Sequence, residues 1–199
     1  MDTVPEVANI PDALRTRLRG AGDDLEIGLS SWERLFGTAR GAKPGWLRLG
    51  PPENGVAFTA AGIAALVGLA AEQEAVAAAI VEAVARAMPR IGDVLGLVEG
   101  DESVSLPEPA EIGAALAPVR VQVHDPGAGA GPALVGLAFG CSWDPEHGLG
   151  ILLRRTEVLG VDTAEAVLAR AVAEAAAHGR HAFFLSSHPD DEGGEGDEG

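Results

Sequence analysis

The chain has one cysteine, Cys141, one lysine, Lys43, and no tyrosine among its 199 residues. A single thiol excludes an intrachain disulfide, and a reducing cytoplasm is the expected setting. Long apolar runs are also missing. The most apolar stretch, "IAALVGLAAEQEAVAAAIVEAVA", is interrupted by Glu72, Gln73 and Glu74. It falls short of the roughly 18 uninterrupted residues a membrane helix needs, so no membrane span is expected. The opening "MDTVPEVANIPDALRTRLRG" lacks a basic segment followed by an apolar one and reads as no secretory signal.

Positive charge is scarce as well. Fourteen bases face 30 acids, for a net charge of −16. The last ten residues, "DDEGGEGDEG", contain six of the acids and no base, yet the rest of the chain is still acidic at −10. Nucleic acid is thereby excluded as the expected partner, because phosphates need a basic patch. A basic protein partner is compatible with the charge, and so is simple solubility. No cofactor is expected: the glycine-rich stretches "GPPENG" and "GAGAGP" lack the Lys-Ser/Thr and the strand–loop–helix setting of a phosphate loop. The preference for arginine over lysine, with abundant Ala and Gly, is that of a high-GC bacterial coding sequence.

What is present is periodicity. Thr59 is placed to cap a helix over about residues 60–70, with Ile63, Leu66, Val67 and Ala70 on one face. A second helix is expected over about 72–88, with Val76, Ile80, Val84 and Met88 forming a stripe and Pro89 stopping it. Short helices are expected near Pro11–Leu18 and Pro109–Leu116, and strands within 23–32 and 45–50. The period then changes to two. "VRVQVHD" places Val119, Val121 and Val123 on one face, and "ALVGLAFGCSW" places Val135, Leu137, Phe139, Cys141 and Trp143 together. The opposite face of that strand, Leu134, Gly136, Ala138, Gly140 and Ser142, is nearly all small and suits the close approach of a helix.

The expected fold is α+β: an antiparallel meander (119–125, 133–143, 149–158) packed against a helix pair (60–88) and a C-terminal helix (163–178) capped by Asp162 or Thr163 and stopped at Gly179. One domain of 23–187 is expected, with an N-terminal extension (1–22) and an acidic tail (188–199) too polar to fold. "HAFFLSS" (181–187) has the composition of one more strand. Trp32, Trp46 and Trp143 read as core anchors, and Arg154 and Arg155 as partners of the acidic surface.

One stretch concentrates reactive groups: "FGCSWDPEHGLGILL", with Cys141, Ser142, Asp144, Glu146 and His147. Trp143, Asp144, Glu146 and His147 are the ligand-binding candidates. As metal ligands, Asp144, Glu146 and His147 match no known spacing, with no paired CxxC, HExxH or EF-hand loop. As catalysts they fare no better. "GCSWD" is no nucleophile elbow, and a thiol packed beside Phe139 and Trp143 is inert. No catalytic residue is assigned. A turn accounts for Asp144 at its first position, Pro145 with its fixed φ, and Gly148 with its freedom for positive φ. It leaves Glu146 and His147 free to bind, or to pair with each other. His124 and Asp125 come near if their strand pairs with 133–143. His178, near a helix end, suits a capping role.

"CSWDPEHGLG" (141–150) resembles the C-x-W-D-x-E-H-G-x-G signature of a bacterial family of unknown function. Upstream, "TAAGIAALVGLAAEQEAVAAAIVEAVARAMP" is similar to the family's helix pair, and "VLGVDTAEAVL" to its return strand and helix. The resemblance covers about residues 23–170. It departs in the aromatics missing at the end of the second helix and in the acidic tail. It implies a fold and a bacterial cytoplasmic setting, and no activity. Two readings of function stand: a non-catalytic interaction module, immunity-type or regulatory, and a metal- or small-ligand-binding protein or hydrolase built on the 141–148 hairpin.

Overall fold

A computed structural model of the chain describes residues 10–20, 24–39, 42–52, 57–94, 106–125, 131–179, 183 and 185. The segments expected as a strand over 181–187 and an acidic tail lie largely or wholly outside them; of the expected N-terminal extension, residues 10–20 are described, and they join the fold, with Leu14 buried in the core. The described residues form a seven-stranded sheet whose strands lie side by side in chain order. After a helical turn, α1 (Asp12–Arg15), come β1 (Leu18–Arg19) and β2 (Glu26–Gly28). The short α2 (Trp32–Leu35) leads to β3 (Trp46–Leu49). A crossover of α3 (Ala60–Ala71), α4 (Gln73–Val94) and α5 (Ile112–Ala115) then leads to β4 (Leu116–His124). The chain continues as β5 (Leu134–Cys141), β6 (Leu149–Arg154), β7 (Glu157–Thr163), α6 (Ala164–Leu168) and α7 (Arg170–Ala177). Every neighbouring pair is antiparallel except β3 with β4, which the crossover makes parallel. The architecture is α+β, as the change of period indicates.

The two faces of the sheet carry different layers. On the front, Ile27, Leu47, Val121, Val123, Val135, Leu137, Phe139, Ile151, Leu153 and Val161 pack with Leu66, Val76, Ile80, Val84 and Ile91 of the helix pair. On the back, Leu134 and Leu152 form a second cluster with Val167, Ala173, Ala176 and Phe183. Small residues of β5 and β6 allow this layer. A Cβ at Gly136 would lie 2.3 Å from the Val167 carbonyl oxygen, and one at Gly150 would lie 2.3 Å from that of Thr163. The glycines are therefore the seat of α6.

The helix pair turns through 87° between α3 and α4. No single helix among the described residues is long and apolar enough to cross a membrane. The Thr59 hydroxyl caps α3 by accepting from Gly62 N at 3.1 Å, and itself donates to the Asp125 carboxylate. At the bend, the Gln73 side chain is 6% exposed and fully engaged. Its Oε1 accepts from Ser31 N (2.9 Å), its Nε2 donates to Ala70 O (2.8 Å), and its carbonyl accepts from Trp32 Nε1 (2.9 Å).

Five details differ from the sequence reading, each for a local reason. Pro89 lies inside α4, which runs on to Val94 with Ile91 buried in the core, so packing outweighs the lost backbone bond. The expected strand 149–158 is the hairpin β6–β7, reversed at Arg155 with φ 57°. The C-terminal helix breaks at Ala169, whose ψ of 127° separates α6 from α7; Thr163 is the cap, accepting from Ala166 N, while Asp162 Oδ1 accepts from Thr163 N. Gly179, with φ 66°, ends α7 as expected, and His178 Nδ1 meets Glu174 O at 2.7 Å. Val119 does not join the core face: a bulge between Pro118 and Arg120 turns it out to 44% exposure. Trp46 is half-buried on the back face with the Arg19 guanidinium over its ring, while Trp32 and Trp143 are core residues.

Candidate functional site

The 141–148 hairpin joins β5 to β6 just beyond the pair Phe139↔Leu149. The alternation of β5 continues past its last ladder bond and carries two of the reactive candidates inward. Cys141 is 8% exposed and Trp143 3% exposed, both in the front core. Burial pushes the Cys141 thiol from its ordinary 9.0 up to about 11, with the Asp144 charge adding to the rise against a weak bond to Asp144 O at 3.5 Å. The neutral thiol is thus the stable form at any ordinary pH, and a thiol that resists ionisation is no nucleophile.

The sign of the pH effect follows. The unfolded thiol ionises near its ordinary value and the folded one only near 11. Stability is therefore lost as pH rises from about 9 towards 11. We expect Cys141 to react with a thiol reagent at pH 8 only as fast as the protein opens, and fully once denatured. Rapid labelling of the native chain would contradict its burial.

The turn itself is held by Asp144. Its Oδ1 accepts from His147 N and from His147 Nδ1, both at 3.0 Å, and its carbonyl accepts from Gly148 N at 3.0 Å. The loop is closed by a bond to the fourth residue on, one longer than a β-turn, with Asp144 and Pro145 in the order the sequence predicts. Gly148 has φ 63°, and a Cβ there would stand 2.5 Å from Phe139 O, so no other residue fits without a shift. Asp144 is 20% and His147 68% exposed, which makes their contact a surface one, worth at most about 1 kcal/mol even as an ion pair. His147 pairs with Asp144, not with Glu146.

The candidates therefore separate. Asp144 and His147 come together, Trp143 and Cys141 turn into the core, and Glu146 and Ser142 stand exposed. Ser142 makes no hydrogen bond to His147 among the described residues, so no nucleophile–base pair forms. Among the described residues no three His, Cys, Asp or Glu side chains are grouped to hold a metal ion. Strand pairing does not bring His124 near: the register sets it opposite Leu134, while Cys141 faces Leu116 at the far end of β4. At 3.4 Å per residue these ends are roughly 24 Å apart.

His124 instead lines a shallow recess with Asp125, Leu134, Arg170, Ala173, Glu174 and Ala177. It is 3% exposed, and its Nε2 meets Val167 O at 2.9 Å. Arg170 pairs with Glu174 at 2.6 Å, and Asp125 accepts from Thr59. The polar groups of the recess thus tie β4 to α6 and α3.

The domain of unknown function DUF6985 matches residues 41–168, from β3 through α6, and this span includes the hairpin. No curated protein and no solved structure matches the chain.

Proposed function

Because the chain belongs to the DUF6985 family, a domain of unknown function, we propose from the geometry that it is a non-catalytic interaction module. It would bind a basic protein partner, as an immunity-type or regulatory protein does, through the tip of the 141–148 hairpin. One observation carries this reading. The turn uses Cys141, Trp143, Asp144 and Gly148 inward to fix its shape, and it projects Pro145, Glu146 and His147 into solvent. Glu146 forms no hydrogen bond or ion pair among the described residues. A carboxylate on a rigid turn loses little freedom when it meets an arginine or lysine, which favours recognition over catalysis. The net charge of −16 adds long-range attraction for a basic surface.

Affinity capture from native lysate at low and at physiological salt tests the proposal. The unchanged chain is expected to retain a stoichiometric basic protein. Glu146→Arg, at an exposed position, is expected to release it with no change in Tm. A chain that elutes alone at both salt concentrations, or a partner held equally by Glu146→Arg, would overturn the assignment.

A further inference from the structure

We propose that Arg48 and Arg120, side by side on the open half of the back face, hold an oxyanion between them, either a carboxylate or a phosphate group. α6 and α7 cover the back of β4 to β6 near Leu134, Gly136, Gly150 and Leu152. Beyond them lie Glu26 of β2, Trp46 and Arg48 of β3, and Arg120 of β4, all on the same side of the sheet. Arg19 on the same face has a carboxylate partner, Glu26. Arg48, which the register also sets opposite Glu26, and Arg120 make no ion pair among the described residues, although acids outnumber bases by 30 to 14 in this chain. They are paired in register across parallel strands, about 4.8 Å apart at the backbone. Like charges placed directly opposite repel, and an anion between them removes that cost.

Four further features fit a built site. The bulge at Val119 decides where Arg120 points. Leu116 and Pro118 are buried, and unbroken alternation would send residue 120 to the same face; the bulge sends it to the back and returns Val121 to the core. The guanidinium is then partly desolvated. Its Nε is covered and has no acceptor among the described residues, and its Nη2 reaches Gln122 Oε1 only at 3.5 Å. That leaves a cation poorly compensated, which an anion at its outer nitrogens offsets. Gln122 is itself fixed, since its Nε2 donates to Pro51 O at 3.1 Å and Val123 O at 3.3 Å. Gly50 supplies the space: a Cβ there would lie 1.9 Å from Gln122 Oε1 and 3.3 Å from Arg120 Nη2. Two guanidiniums suit one oxyanion, and they do not form the extended basic stripe of a nucleic-acid surface.

Inorganic phosphate, titrated into the full-length chain at constant ionic strength, is the probe. The readouts are the arginine Nε–H resonances and Tm. Phosphate is expected to shift the Arg120 signal and raise Tm. Arg48→Gln, an exposed position that the fold does not need, is expected to weaken binding about tenfold, while Arg154→Gln at the β6 end leaves it unchanged. A second full-length chain, with Asp190, Asp191, Glu192, Glu195, Asp197 and Glu198 changed to amides, distinguishes the source of the anion. Tighter phosphate binding by that chain, still dependent on Arg48, supports the site and assigns it to carboxylates of the acidic C-terminal segment. Equal, Arg48-dependent binding by both chains supports the site and assigns it to an anion from outside. Phosphate effects that are absent in both chains, or equal in Arg48→Gln and the parent, overturn it.

Discussion

Trp32→Ala is expected to destabilise the chain by about 3–5 kcal/mol, read as a lowered denaturation midpoint with an unchanged slope. Total stabilities of about 5–15 kcal/mol make this a large fraction, so a shift below 1 kcal/mol would refute the packing described. Trp32 is 1% exposed. Its ring meets Phe36 edge-on at 5.0 Å and stacks on Phe139 at 6.3 Å, and Phe36 lies 5.4 Å from Phe139. These three rings join α2 to the middle of the sheet, and each aromatic pair adds roughly 0.5–1.5 kcal/mol beyond burial. Truncation also leaves Gln73 O, at the helix bend, without the indole donor it has at 2.9 Å. The loss thus reaches α4 as well as α2.

The second large effect is a contrast within one substitution. Gly150→Ala is expected to cost about 1–3 kcal/mol, the usual range for an overfilled site. Its new methyl would meet Thr163 O at 2.3 Å and Val167 Cγ2 at 2.5 Å. The first of these is backbone, so α6 itself must lift from the sheet. Gly68→Ala, in the middle of α3 with nothing within 4 Å of the added atom, is expected to stabilise by up to about 1 kcal/mol through helix propensity. Chemical denaturation of both variants checks the pair. Equal effects would mean that the glycines of β5 and β6 are not a seat for α6.

Much of this was legible as alternation. The period-two runs of β5 and the first part of β6 gave the sheet its two faces, and the small side of β5 announced the helix that lies on it. What escaped was single-residue irregularity. Val119 reads as core in the run "VRVQVH", because a bulge shifts phase without changing composition. Arg155 reverses the chain in a left-handed conformation that glycine usually supplies, so one long strand was expected where there are two. Ala169 breaks a helix although alanine is the best helix former, and Pro89 fails to stop one. At the hairpin, Asp144, Pro145 and Gly148 declared the turn, while the pairing of His147 with Asp144 needed coordinates. The Arg48–Arg120 pair was visible only as two arginines in apolar strands. Their adjacency depends on a parallel register across a three-helix crossover, which no local pattern encodes.

That crossover also sets the entropic cost of one strand pairing apart from the rest. From β4 to β7 each strand meets the one before it across a short connection, so little chain must be confined for each new pairing. The pairing of β3 with β4 is the exception, since it closes the whole α3–α5 segment in one step, with a larger entropic cost. The four C-terminal strands are therefore expected to form as one locally connected scaffold, with the β3–β4 seam closing as a separate, costlier step. Arg48 comes beside Arg120 only when this seam closes, so an anion held between them reports that closure.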